Sequence, residues 1–159
     1  AKRRARVWPP LEEAYFAAAW IAYAQGFAQI ATASREYGFG TDLATVARVW
    51  RAGCIIRAVF LAPIHAAFAT DPALPNLLLE PAVAALLAPA VAGLRATVID
   101  GASCGVPLPA LSAALAYFDG MRSARLPANL LQAQRDHFGA HTYERLDRDG
   151  SFHSAWGRE

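Results

Sequence analysis

The sequence predicts an all-α, helical bundle-like domain with an extended C-terminal tail, on three observations. Apolar residues recur at helical spacing along the longer segments, no segment alternates as a strand does, and Gly, Pro and Asx residues fall at helix-length intervals. With 159 residues, one domain is the default. Hydrophobic residues make up 55% and charged residues 18%, and the mean hydropathy is +0.22. Part of so large an apolar load should meet a partner or another part of the same polypeptide. A net charge of +2 is too small to argue for nucleic acid. Cys54 and Cys104 are far apart and form no CxxC, which suits the reduced thiols of a cytoplasmic protein. Lys2, Arg3, Arg4 and Arg6 lead into Trp8-Pro9-Pro10 rather than an apolar core, so no secretory signal is visible. The chain has no initiating Met and reads as cut from something longer.

Three regions are expected: a linker-like or disordered approach over 1–10, a helical domain over 11–145 and a tail over 146–159. Pro10 opens a first helix with Glu12 and Glu13 in its first turn and Arg35 in its last, as the helix dipole prefers; Gly38 and Gly40 end it. Residues 14–34 hold no charge, which leaves a membrane span as one reading. Gln25, Gln29, Thr32, Ser34, Gly26 and many alanines favour a helix buried on all sides instead. Thr41 or Asp42 caps a second helix bearing Leu43, Val46, Val49 and Trp50. Gly53 interrupts it, and residues 54–68 resume the pattern, with Pro63 expected to kink or end that helix. Pro81 opens a helix to about Val98, stopped by Asp100-Gly101, and residues 111–125 form another. Pro127 is preset for the first turn of a last helix, to which Leu130, Leu131 and Phe138 supply apolar contacts. Gly139 is its expected left-handed end, which places Arg135 in the last turn and His141 just beyond.

Several constellations have plain readings. Gly38-Phe39-Gly40-Thr41-Asp42-Leu43 begins like a dinucleotide fingerprint, but it lacks the third Gly and follows a helix, so it reads as a turn. His137 and His141 are four apart beside Asp136, yet Gly139 between them breaks the face that metal ligands would need, and no metal is expected. Arg57, among apolar residues, reads as a buried pairing residue or an anion ligand. His65 and His153 read as ordinary histidines without evident partners, and the Trp and Tyr residues as packing rather than base stacking. Arg135 with His141 is the exception, because a guanidinium fork and an imidazole suit a phosphate or carboxylate. From the residues alone, a helix-end cation beside a surface histidine remains the plainer alternative.

The run Leu-Pro-Ala-Asn-Leu-Leu-Gln-Ala-Gln-Arg-Asp-His-Phe-Gly-Ala-His-Thr-Tyr-Glu-Arg, residues 126–145, resembles a signature of the decarboxylating 6-phosphogluconate dehydrogenases. Ile-Ala-Tyr-Ala-Gln-Gly-Phe at 21–27, Trp-Arg-Ala-Gly-Cys-Ile-Ile-Arg at 50–57 and Asn-Leu-Leu-Leu-Glu at 76–80 join it in the family's order. Trp20, Ala52 and Pro63 depart from that pattern. The resemblance implies the later part of an all-helical domain, oxidative decarboxylation of 6-phosphogluconate to ribulose 5-phosphate with NADP, and a homodimer with intertwined tails. It implies that Arg135 and His141 bind the substrate in the neighbouring subunit's active site. It also implies that the catalytic lysine and glutamate, and the domain holding NADP, precede this chain, which alone should be inactive and bind no NADP. A non-enzymatic helical oligomerisation module and a membrane-embedded helical protein are the competing expectations.

Overall fold

In the computed structural model, residues 2–51, 55–56 and 58–157 are described, with side chains from Pro9 onward. Cys54 and Arg57 lie outside the described residues, and with them the expected role of Arg57. The chain divides into two compact units, Ala1–Met121 and Arg122–Glu159. The boundary drawn at 146 from the sequence therefore runs inside the second unit.

The first unit is built on helix α1, Lys2–Tyr37, which begins upstream of its expected start and carries Pro9 and Pro10 within it. Its buried residues Ala14, Ala17, Trp20, Ile21, Ala24 and Phe27 recur every three or four positions. This is one stripe and not burial on all sides, for Tyr15 on the other face is 72% exposed. Helix α4, Pro81–Ser103, packs on α1. Among the described residues it is the one helix long and apolar enough to cross a membrane, a test that buried core helices also meet. The two helices approach most closely at Gly93, where an added Cβ would run into the Glu13 side chain and come within 3.1 Å of the Pro10 carbonyl oxygen. Thr97 donates to that same carbonyl at 3.1 Å.

The remaining elements close this core. Asp42 caps α2, Leu43–Trp50, by accepting from Ala44 N at 3.1 Å. Helix α3 is Leu61–Thr70, so Pro63 stands in its first turn, where a missing N–H costs nothing, and does not end it. Phe60, just before α3, meets the rings of Phe16, Trp20 and Tyr23 on α1 at 5.6, 5.1 and 6.1 Å. Asn76 accepts from Leu78 N at the 3-10 turn Leu77–Leu79, and Glu80 accepts from Val83 N at the start of α4. The Asp100-Gly101 pair does not stop α4, because Gly101 serves packing: a Cβ there would collide with Leu108. Helix α5, Pro109–Met121, ends four residues before the expected 125. His65, expected to be unpartnered, holds the Ala44 carbonyl through Nδ1 at 2.8 Å.

The second unit holds α6, Asn129–Gly139, and a two-residue antiparallel ladder of β1, Tyr143–Glu144, with β2, Ser151–Phe152. The tail thus folds back on the segment that follows α6.

Candidate functional site

Helix α6 inverts the usual pattern of a surface helix. Leu130, Leu131 and Phe138 are 81%, 57% and 79% exposed, whereas Asp136 is fully buried. The apolar residues therefore do not supply the contacts expected of them within this unit, which is organised around a carboxylate. Pro127 lies outside α6, whose N-cap is Ala128.

The helix ends differently from expectation as well. Gly139 is its last helical residue, and the left-handed cap is Ala140, at φ 49° and ψ 38°. Thr142 is also left-handed, at φ 63°. His141 sits between these two non-glycine residues in a conformation that is costly without surrounding support. Gly139 answers a different need: a Cβ on it would lie 2.9 Å from Cδ2 and Nε2 of His141. The imidazole is thus folded back over the end of α6.

Arg135 precedes Gly139 by four residues, one helical turn, so positions 135 and 139 share a face with Cβ positions about 6 Å apart. Arg135 and His141 are both exposed: the imidazole lies over Gly139, and the Arg135 guanidinium reaches toward Gln132, three residues upstream. Arg135 stands just before the last turn rather than in it, and its Nη1 donates to Gln132 Oε1 at 3.1 Å. Neither side chain is walled off inside the fold. A planar guanidinium fork and a ring nitrogen are each groups that can donate to an anion. A cavity of about 410 Å³ bordered by Gln132, Tyr143, Arg145 and Trp156 lies in the same unit, and Arg135 and His141 are not in its wall.

Asp136 holds this end of the helix together. Its Oδ1 accepts from Thr142 N at 3.0 Å and from His153 Nδ1 at 2.8 Å. Its Oδ2 accepts from Ser154 N at 2.9 Å and from the Trp156 indole at 2.8 Å. Burial pushes the carboxyl up, but the Ser154 N–H, the His153 imidazole and the Trp156 indole outweigh it and hold the group below its ordinary value of 3.8. An ionised acceptor fixes the His153 tautomer, with the proton on Nδ1. His153, read from the sequence as unpartnered, is therefore paired, to a residue 17 positions away. In the sequence nothing but its place beside His137 points to Asp136. His137 itself meets the rings of Phe138 and Trp156 edge-on, at 5.4 and 5.7 Å. No group of three His, Cys, Asp or Glu among the described residues could hold a metal ion.

The Gly38–Leu43 turn does not fit a nucleotide. Gly38 and Gly40, at φ 68° and 60°, reverse the chain between α1 and α2. Thr41 N is taken by Ser34 Oγ, and the Asp42 carboxylate sits at the start of α2, where a phosphate would have to bind.

Comparison with known proteins agrees with this architecture. The family described as 6-phosphogluconate dehydrogenase, C-terminal domain, matches residues 1–156. Decarboxylating 6-phosphogluconate dehydrogenase of Synechococcus elongatus is 49% identical over 92% of this chain and 31% of its own length. The Escherichia coli protein of that name is 47% identical over 86% of this chain and 29% of its own length. A solved Plasmodium falciparum 6-phosphogluconate dehydrogenase, described in apo form and in complex with NADP+ and with 6-phosphogluconate, superposes with a TM-score of 0.88 at 39% identity. It is covered over 33% of its length, against 96% of this chain. The chain spans about a third of the length of these relatives, and through the match over residues 1–156 it belongs to the 6-phosphogluconate dehydrogenase family, in the part that forms the C-terminal helical domain.

Proposed function

We propose that this chain forms the C-terminal third of a cytoplasmic, NADP-dependent oxidative decarboxylase that converts 6-phosphogluconate to ribulose 5-phosphate and CO2. The chemistry is oxidation of the 3-hydroxyl by hydride transfer to NADP, followed by loss of CO2 from the resulting β-keto acid. The lysine and glutamate for the proton transfers and the site for NADP belong to preceding segments. This chain contributes the substrate clamp and dimer contacts and is inactive alone. Arg135 takes the substrate's phosphate with its fork, and His141 adds a second donor, both reaching into the neighbouring protomer's active site.

The observation that carries this reading is the shared helix face: Arg135 stands one turn before Gly139, over which the His141 ring is laid. The family match over residues 1–156 supports the reaction class. The test is steady-state kinetics of Arg135→Ala in the complete enzyme, obtained by placing this chain in the matching third of the Escherichia coli relative. A charge-assisted contact is worth about 1.5–3 kcal/mol, so KM for 6-phosphogluconate should rise roughly 10- to 150-fold. An unchanged KM would remove Arg135 from the site.

A further inference from the structure

We propose that Asp136 is the positioning residue of His141: an inward-facing carboxylate that sets the turn carrying His141 and ties the tail to that turn. The inference rests on the substrate-site reading above and extends it to a residue that touches no substrate. It begins with adjacency. Successive helical residues are turned by about 100°, so a helix that presents Arg135 to solvent directs the next side chain elsewhere. Here the next side chain is fully buried, and among the described residues no other charged residue is.

Its partners define what it must be. All four are donors: two backbone N–H groups, an indole N–H and an imidazole N–H. An amide or a protonated acid would turn a hydrogen toward one of them, so an ionised carboxylate alone satisfies the set. Burying such a charge is weak evidence for a role in stability, since apolar side chains commonly serve a core as well or better.

The backbone supplies the specific link to His141. Both left-handed residues flanking it are held by Asp136: Ala140 N donates to its main-chain carbonyl at 2.9 Å, and Thr142 N donates to its side chain at 3.0 Å. One residue thus clamps both sides of the turn from which the imidazole projects over Gly139. The same carboxylate receives residues 153, 154 and 156, so the turn and the tail are fixed by a common anchor.

Kinetics of the complete enzyme test this. Asp136→Asn should raise KM for 6-phosphogluconate on the order of tenfold or more, with KM for NADP and kcat little changed. The decisive arm is the double variant: in a His141→Ala background the same substitution should add less than about twofold, because the group it positions is gone. An equal increment with and without His141, or no increment at all, overturns the proposal. Should Asp136→Asn fail to fold, Trp156→Phe removes one of the four donors and should give a smaller rise that also vanishes in the His141→Ala background; a rise that persists there overturns it. If Arg135→Ala and His141→Ala themselves leave KM unchanged, the substrate-site reading fails and takes this one with it. If they raise KM while Asp136→Asn and Trp156→Phe do not, only the role of Asp136 falls.

Discussion

The imidazole of His141 occupies the space that a side chain on Gly139 would need, with ring atoms 2.9 Å from the position of the missing Cβ. Gly139 has no positive φ and is not the left-handed cap, so its small size serves the ring and not the turn. Gly139→Ala should therefore separate stability from binding. The obstructing atoms are at the tip of a rotatable side chain, so the ring swings away while α6 persists. Alanine at a helical position also gains up to about 1 kcal/mol over glycine. Thermal unfolding should show an unchanged or slightly raised Tm, while KM for 6-phosphogluconate increases. An unchanged KM would mean that the placement of the ring over Gly139 does not matter.

The Asp136 hub sets a pH window. Its carboxyl titrates below the ordinary 3.8 in the folded protein, so the fold favours the ionised form. The stabilising contribution is complete above the unfolded value and is lost as pH falls through the folded one. The indole N–H resonance of Trp156, which donates to Oδ2, reports this directly. It should stay in place from neutral pH to about 4 and move only below that. A resonance that already moves well above about pH 4 would mean that the Asp136 carboxyl does not control the hub.

How much of this was legible follows the range of the interactions. Asp42, Asn76 and Glu80 each cap a helix two or three residues ahead, and a bond that short is visible in the order of residues. Arg135 and His141 are singled out by a long motif and not by any local bond. Asp136 was not legible, because three of its four partners arrive from residues 153–156, a polar stretch with no periodicity to show where it returns. The glycines misled for a related reason. Gly101 and Gly139 look like stop signals, yet one lies against Leu108 and the other against His141, so each is needed for close approach inside a helix. The apolar residues of α6 misled because an amphipathic pattern says that a face will be covered without saying by which part of the chain.

Where α1 meets α4, the margin is a missing methyl. A Cβ on Gly93 would strike the Glu13 side chain near its own Cβ, which cannot swing away as a chain end can, and would crowd the Pro10 carbonyl at 3.1 Å. Gly93→Ala should cost about 1–3 kcal/mol through overpacking, despite its better helix propensity. Denaturant unfolding should show a lower midpoint at unchanged slope. A midpoint equal to that of the parent would show that the helices can separate freely at this crossing.

The same pair of helices allows burial and charge to be compared on adjacent residues. Leu94 is fully buried in the α1 and α4 core. Arg95, next to it, donates to both carboxylate oxygens of Asp119 at 2.9 and 2.7 Å. The bidentate geometry is good, and hydrogen bonding to Asp119 raises the guanidinium's pKa further. Yet the two side chains are 43% and 39% exposed, and solvent and salt screen much of that attraction. Leu94→Ala should lose about 2–5 kcal/mol, because the removed atoms leave a cavity that the helices can only partly close. Asp119→Asn should lose at most about 1 kcal/mol, and less in high salt. Unfolding of the two variants at low and high ionic strength checks both statements. A larger loss for Asp119→Asn than for Leu94→Ala would mean that the ion pair, and not the apolar stripe, holds α4 and α5 in register.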